Sequence, residues 1–289
     1  MGTEKTEASI IWLPRDVNEQ IHIGSFFSFF ERHYDNGYSF AGETHNFWEC
    51  VYVLDGSICV SSDERVYDLT KDEVIFHKPL ELHKFYVNGE AGATLLIFSF
   101  SLTGPMSDAL KNMVFTLPKE QTYIVTSLRD YMHRYQTGRT IPDELSYLNY
   151  LFPFEDTPTY PQMLTTYVYQ LILSLLGNGN VSEVSTAPDA LIFGKAVSYM
   201  NSRICDQHSV PEIARYCSVS ESGLKRIFYK YAGMGIHKYF LKRKIKAATE
   251  LLENGFGVAA TAEKLGFSSQ SYFSAAFKRE TGFCPSDIL

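Results

Sequence analysis

From about Ile21 to Phe100 the chain runs in short stretches rich in Val, Ile, Tyr and Phe, cut by Asp35-Asn36-Gly37, Asp55-Gly56 and Asn88-Gly89. Runs of this length with turn residues between them predict a small antiparallel barrel or sandwich. Around Phe47 to Leu54 a period of two places His45, Phe47, Glu49, Val51 and Val53 on one face. From about Pro118 the period lengthens. Ile124, Leu128, Tyr131, Met132 and Tyr135 recur at helical spacing, as do Leu164, Tyr167, Val168, Leu171, Ile172 and Leu175. Thr165 to Leu176 carries no charged residue, which predicts a helix buried on most faces, with a homodimer contact as the expected cover. The polar, turn-rich stretch from Gly177 to Pro188 reads as a linker, and everything after it as helix. The pattern predicts a multidomain α+β chain: a β-barrel over 1–117, a helical dimerisation segment over 118–177, a linker over 178–188 and an all-α unit over 189–289.

The last hundred residues contain a repeat. Ser220, Leu224, Phe228 and Gly233 reappear in kind 49 positions later as Ser269, Phe273, Phe277 and Gly282. Ala214 and Ser218 match Ala262 and Gly266 at an offset of 48, so the second turn is one residue longer. Ser209-Val210-Pro211-Glu212 is a capping box for a helix from Val210 to about Cys217. Ser220 caps the next helix, Glu221 to about Tyr231. A long helix from Ile236 to Glu253 carries one apolar stripe of Leu241, Ile245, Ala248 and Leu252. A second pair follows, from Val258 to Leu265 and from Ser269 to about Arg279. Two helix-turn-helix units on one connecting helix suit two successive major-groove segments of a DNA duplex.

The outward face of the first reading helix carries Ser222, Lys225, Arg226 and Tyr229. Arg226 or Lys225 can present paired donors to guanine O6 and N7. The second carries Gln270, Ser271, Ser274 and Ala275, with Gln270 able to pair with adenine and with Lys278 and Arg279 left for the backbone. Ala275 stands where the first helix has Arg226, so the second reader is poorer in base hydrogen bonds. Lys238, Lys242, Arg243, Lys244 and Lys246 crowd the connecting helix, where they are expected to contact phosphates.

Charge divides along the same lines. The net charge of −7 would be wrong for a nucleic-acid binder, but residues 189–289 hold 14 Lys and Arg against 9 Asp and Glu. The other 188 residues hold 12 against 24. Only the C-terminal unit has the basic excess that phosphates require. The five cysteines form no CxxC pair and are odd in number, so neither a zinc knuckle nor a disulfide framework is suggested, and reduced, buried thiols are expected. No apolar run is long enough for a membrane span, and MGTEKTEASI lacks the features of a secretory signal, so a cytoplasmic chain is expected.

Residues 209–288 resemble the DNA-binding domain of the AraC/XylS family of transcriptional regulators. The resemblance is clearest in Ala262-Glu263-Lys264-Leu265-Gly266-Phe267-Ser268-Ser269-Gln270-Ser271-Tyr272-Phe273, then Phe277-Lys278-Arg279, Gly282 and Pro285-Ser286. It implies a bacterial, cytoplasmic activator or repressor in which both reading helices enter DNA. It also implies base contacts from Ser222, Lys225 and Arg226, although small Ser222 stands where many relatives have a larger side chain.

Residues 40–100 resemble the cupin barrel, on His45, Glu49 and Gly56 and then Pro79 and His83. Glu43 stands where a metal-binding cupin has its first histidine, and Glu81 replaces a usual glycine. His45, Glu49 and His83 could form a two-histidine, one-carboxylate metal site. With the first histidine missing, the favoured expectation is a pocket for a small polar effector such as a sugar, with Arg32 at its edge and no metal or cofactor. The expected partners are double-stranded DNA, that effector, a second copy of the chain and, for an activator, RNA polymerase, with no membrane. A non-enzymatic, effector-controlled regulator is the leading reading. A metal-dependent cupin enzyme with an accessory DNA-binding tail and a ligand-independent DNA-binding protein are the alternatives.

Overall fold

Runs of β-branched and aromatic residues organise the N-terminal half into strands, most of them buried on both faces. The structure is a computed structural model and describes residues 15–136, 143–178, 180–182 and 184–289. The MGTEKTEASI segment and linker residues 179 and 183, on which sequence expectations were placed, lie outside the described residues. The strands are β1 (His22–Tyr34), β2 (Trp48–Ser62), β3 (Arg65–Thr70), β4 (Glu73–His77), β5 (His83–Val87), β6 (Ala93–Thr103), β7 (Val114–Thr116) and β8 (Asn180–Ser182). They pair antiparallel in the order β1-β6-β2-β4-β7-β8, with β3 and β5 both on β2. No pair among the described residues closes the sheet, so the barrel is an open one.

The sequence places a turn at Asp55-Gly56, but β2 runs straight through it. Trp48 to Gly56 pairs with β6, and Ser57 to Ser62 pairs with β3 and β5. The dipeptide is a corner, with a register shift between Val53 and Asp55. Gly56 takes a φ of +80°, and a Cβ there would lie 2.1 Å from the Gly92 carbonyl, so only glycine lets the strand change sheets. Both faces of β2 are covered. Val51, Val53, Ile58 and Val60 fill the barrel, while Trp48, Cys50 and Tyr52 pack on helices. That is why the run from Trp48 to Leu54 is nearly all apolar.

Those helices are α1 (Tyr123–Arg134), the short α2 (Pro153–Asp156) and α3 (Tyr160–Asn178). The uncharged stretch of α3 finds its cover inside the chain. Leu164, Val168, Leu171, Ile172 and Leu175 join Leu128 and Met132 of α1 in one core with Phe29, Phe98 and Phe100 of the sheet. The apolarity that led to the dimer expectation is therefore used largely within the subunit. Its outward side retains Met163 and Leu173, 40% and 44% exposed. The expected linker is also less of a linker than its composition indicates. Its residues Asn180–Ser182 form β8 against β7, and Ser185 bonds to Val66 and Asp68 of β3.

The C-terminal half is α4 (Pro188–Asn201), α5 (Val210–Tyr216), α6 (Glu221–Ala232), α7 (Ile236–Glu253), α8 (Val258–Lys264) and α9 (Gln270–Thr281). The repeat is visible in its caps. The Ser220 and Ser269 hydroxyls accept the amides of Gly223 and Tyr272, each at 3.1 Å. Gly233 and Gly282 end the same two helices in the left-handed conformation. Ser209 and Glu212 form the capping box that starts α5. The two units differ in what they rest on. Leu224, Ile227, Phe228 and Tyr239 share a core with Cys59, Val66 and Leu82 of the barrel. Phe273, Ala276 and Phe277 share theirs with α7, α8, Ile204 of the segment after α4 and Ile288, and with no barrel residue among those described. The first unit is thus built onto the barrel, and the second is carried by α7. Of the cysteines, Cys50, Cys59 and Cys217 are buried as expected, whereas Cys205 is exposed and Cys284 half-buried.

Candidate functional site: two reading faces and a barrel pocket

In α6, residues Leu224, Ile227 and Phe228 point into the core, which turns Ser222, Lys225, Arg226 and Tyr229 outward. In α9, Phe273, Ala276 and Phe277 do the same for Gln270, Ser271, Ala275, Lys278 and Arg279, with Ser274 half-buried. Neither face is covered by the barrel. The turn before α9 is held in place from behind. Gly266 has a φ of +64°, and a Cβ there would fall 1.8 Å from the Cys205 carbonyl. Lys244 donates to the Leu265 carbonyl at 2.8 Å, closing the C-terminus of α8.

The basic run of α7, expected at phosphates, is largely engaged within the protein. Arg243 forms a short ion pair with Asp63, in the tight turn between β2 and β3, and bonds to Asn201. Lys246 reaches the same Asp63 carboxylate at 3.0 Å, and Tyr239 donates to the Asp63 carbonyl at 3.0 Å. Lys242 lies 3.7 Å from Glu280, and buried Lys244 is used on backbone carbonyls. Of the run, only Lys238 is exposed. Arg243 and Lys242 brace α7 against the barrel and α9. Their acidic partners, Asp63 for Arg243 and Glu280 for Lys242, lie far from them in the chain, a signal that sequence reasoning lacked.

The barrel opens into a cavity of about 430 Å³ walled by Phe30, Tyr34, Tyr38, Phe40 and Phe85 and lined by Arg32, Glu43, His45, Glu49 and Ser99. Arg32 sits near the end of β1, whereas neighbouring His33 turns away to Thr94. Burial and the nearby Tyr38 hold the Tyr34 phenol at about 12, so it stays a donor. His45, Glu49 and His83 do come together, and Glu43 joins them. The His83 Nε2 lies 3.4 Å from Glu49 and 3.6 Å from Glu43, and the His45 Nε2 lies 3.7 Å from Glu49 and 4.0 Å from Glu43. Burial works against both charged forms here, but the facing groups outweigh it. The carboxyl of Glu49 lies well below the usual carboxylate range, and His83 rises to about 10.

Beneath this group lies a second buried set that the sequence did not disclose. His77 stacks on His83 with ring centroids 4.2 Å apart and contacts Glu81 at 2.7 Å. Glu81 also takes Ser62 and Lys78. Burial opposes ionisation of Glu81, yet His77, Lys78 and Ser62 hold it at about 2. Burial and then the neighbouring His83 lower the pKa of His77. The glutamate that departs from the cupin pattern is thus a structural member of the barrel.

An exposed pair of capped helix-turn-helix readers beside a barrel with a walled cavity defines a ligand-binding DNA-binding regulator. Residues 28–104 match the AraC-like ligand binding domain and residues 213–289 a helix-turn-helix domain. The chain is similar to the HTH-type transcriptional regulator YidL of Escherichia coli, at 24% identity over 84% of this chain and 75% of the relative. It is similar to the Msm operon regulatory protein of Streptococcus mutans, at 24% identity over 87% of each chain. The HTH-type transcriptional activator AarP of Providencia stuartii matches at 30% identity over 33% of this chain and 71% of its own. The chain belongs to the AraC family of transcriptional regulators. Its partners are DNA and a small-molecule effector. No helix among the described residues is long and apolar enough to cross a membrane.

Proposed function

We propose that α6 and α9 read successive major-groove segments through Ser222, Lys225 and Arg226 and through Gln270, Ser271 and Ser274, with Lys278 and Arg279 on phosphates. A small polar effector of the sugar class would occupy the barrel cavity and control them. The cavity falls within the size range of small-molecule sites. Its aromatic walls offer faces for stacking, and Arg32, Glu43 and Glu49 offer orienting polar groups. The observation that carries control by the barrel is the position of His45. It lines this cavity and also a cleft of about 220 Å³ whose far wall is α7 and α9, at Lys242, Arg243, Lys246 and Phe277. The His45 carbonyl accepts the Leu80 amide at 2.8 Å, which ties it to the cleft's barrel wall. A ligand that shifts His45 therefore has different affinities for two placements of the DNA-binding half, as control requires.

The reading places the chain in the cytoplasm, without catalysis, as a homodimer whose contact uses the outward side of α3. An activating role would add RNA polymerase as a partner.

Thermal-shift screening of the full-length chain against sugars and polyhydroxylated metabolites tests the effector assignment. A true effector at a hundredfold excess over its Kd adds about 2.7 kcal/mol of stability, and Arg32→Ala is expected to weaken that shift. A panel without any shift, or a shift indifferent to Arg32→Ala and Tyr34→Phe, would remove the effector from this cavity.

A further inference from the structure

We propose that Glu43, His45, Glu49 and His83 bind one divalent first-row transition ion, of the zinc, iron or manganese class, at the inner end of the barrel cavity. One donor atom from each of the four lies within 4.8 Å of the others. The site stands whether or not the cavity also takes a sugar, and it revises the metal-free expectation drawn from the missing first histidine.

The tautomers are the first argument. The Nδ1 of His45 lies 3.0 Å from the Phe47 carbonyl, and the Nδ1 of His83 lies 3.1 Å from the Glu81 carbonyl. A carbonyl only accepts, so each Nδ1 carries a proton, and Nε2 is the ring atom left facing the carboxylates, where a bound ion would take the place of its proton. This is the arrangement in which an outer hydrogen bond orients a ligating imidazole. Both Nε2 atoms are buried and have no hydrogen-bond partner. His83 is only 3% exposed, so water does not reach it.

Distances supply the second. Contacts of 3.4, 3.6, 3.7 and 4.0 Å between these nitrogens and the carboxylate oxygens exceed hydrogen-bond length. In a tetrahedral site with metal–ligand bonds of about 2.0–2.2 Å, neighbouring donors stand about 3.3–3.6 Å apart. The four side chains are therefore spaced as the edges of a coordination shell, slightly open. Two carboxylates also match the charge of a divalent ion. A mixed set of two imidazoles and two carboxylates with no sulfur suits the borderline cations, where an all-oxygen set would suit calcium or magnesium.

The scaffold holds this shape in advance. Glu43 and His83 face each other across a two-way backbone bridge of 3.0 and 3.1 Å. Ser99 donates to Glu49 at 3.2 Å and is itself paired with Ser28, and His77 backs the ring of His83. Glu43, with its side chain 46% exposed, leaves an entry from the cavity.

The test titrates chelator-treated, desalted full-length chain with Zn2+ by calorimetry and with Co2+ by visible absorption. One ion per chain is expected, with a low-symmetry Co2+ spectrum. His45→Ala and Glu43→Ala should each weaken binding by more than about 100-fold, the upper end of what loss of an outer-shell partner costs. His22→Ala and His33→Ala should not change it. X-ray absorption of the zinc-loaded wild-type chain, which requires no variant to fold, should show two imidazoles and no sulfur. The proposal is overturned if the wild-type chain takes up no ion, if uptake survives His45→Ala and Glu43→Ala in folded protein, or if the absorption spectrum shows an ion without imidazole. The four residues would then be an ion-pair cluster sharing protons.

Discussion

Asp63→Ala is expected to lower the stability of the full-length chain by about 3–5 kcal/mol, the cost of leaving one partner of a buried ion pair uncompensated. The Asp63 side chain is 6% exposed and that of Arg243 15% exposed, so solvent screens the pair little. The same carboxylate serves Lys246 and accepts the Leu82 amide at 3.3 Å. Without it, Arg243 keeps Asn201 and, at 4.0 Å, Glu64. Asp63 also adopts a φ of +49°, so part of the alanine effect is backbone strain. Asp63→Asn, which tolerates that conformation better, isolates the charge. Removing both charges, as Asp63→Ala with Arg243→Met, should recover much of the loss. Urea unfolding of the three variants measures this directly. A loss below about 1 kcal/mol for Asp63→Ala would mean the contact behaves as a surface ion pair and does not clamp the DNA-binding half to the barrel.

Raising salt from 50 to 200 mM should weaken binding to a specific DNA fragment by about 10³–10⁵-fold, as for proteins with 6–10 phosphate contacts. Under the proposed reading, exposed cations of the C-terminal half set this slope. Arg215, Lys225, Arg226, Lys238, Lys264, Lys278 and Arg279 are exposed, whereas Lys242, Arg243 and Lys246 are half-buried and Lys244 fully buried, all engaged within the protein. Lys278→Ala should therefore reduce the logarithmic salt slope by about one, while Lys246→Ala leaves it unchanged. Titrations by fluorescence anisotropy at several salt concentrations provide the comparison. An unchanged slope for Lys278→Ala with a reduced one for Lys246→Ala would restore the α7 basic run to the DNA interface.

What could be read from the chain, and what could not, follows from the range of the interactions concerned. Helix caps act over three residues, so Ser220 marked the start of α6, and helical period turned the expected side chains outward, with Ser274 half-buried. Short β-rich runs between turn residues likewise gave the barrel, a period of two joined His45 to Glu49, and the cupin resemblance implied His83 beside them, where the structure brings it. The failures are all long-range. Asp55-Gly56 has turn chemistry, but pairing with β6, β3 and β5 makes it a corner within β2. Asn180–Ser182 is polar enough for a linker, yet the free edge of β7 takes it as a strand. The role of Glu43 depends on a backbone bridge to His83, that of His77 on stacking against the same ring, and that of Arg243 on Asp63. A local pattern of charge says nothing about which distant carboxylate it will meet.

The most direct test of two readers acting on one duplex is a selection of bound genomic fragments by the wild-type chain, Arg226→Ala and Gln270→Ala. The account predicts a discrete bipartite site with its halves about one helical turn apart. Arg226→Ala should relax one base position in one half by about 1–3 kcal/mol, and Gln270→Ala a position in the other. Recovery of no specific site, or relaxation of the same half by both variants, would contradict it.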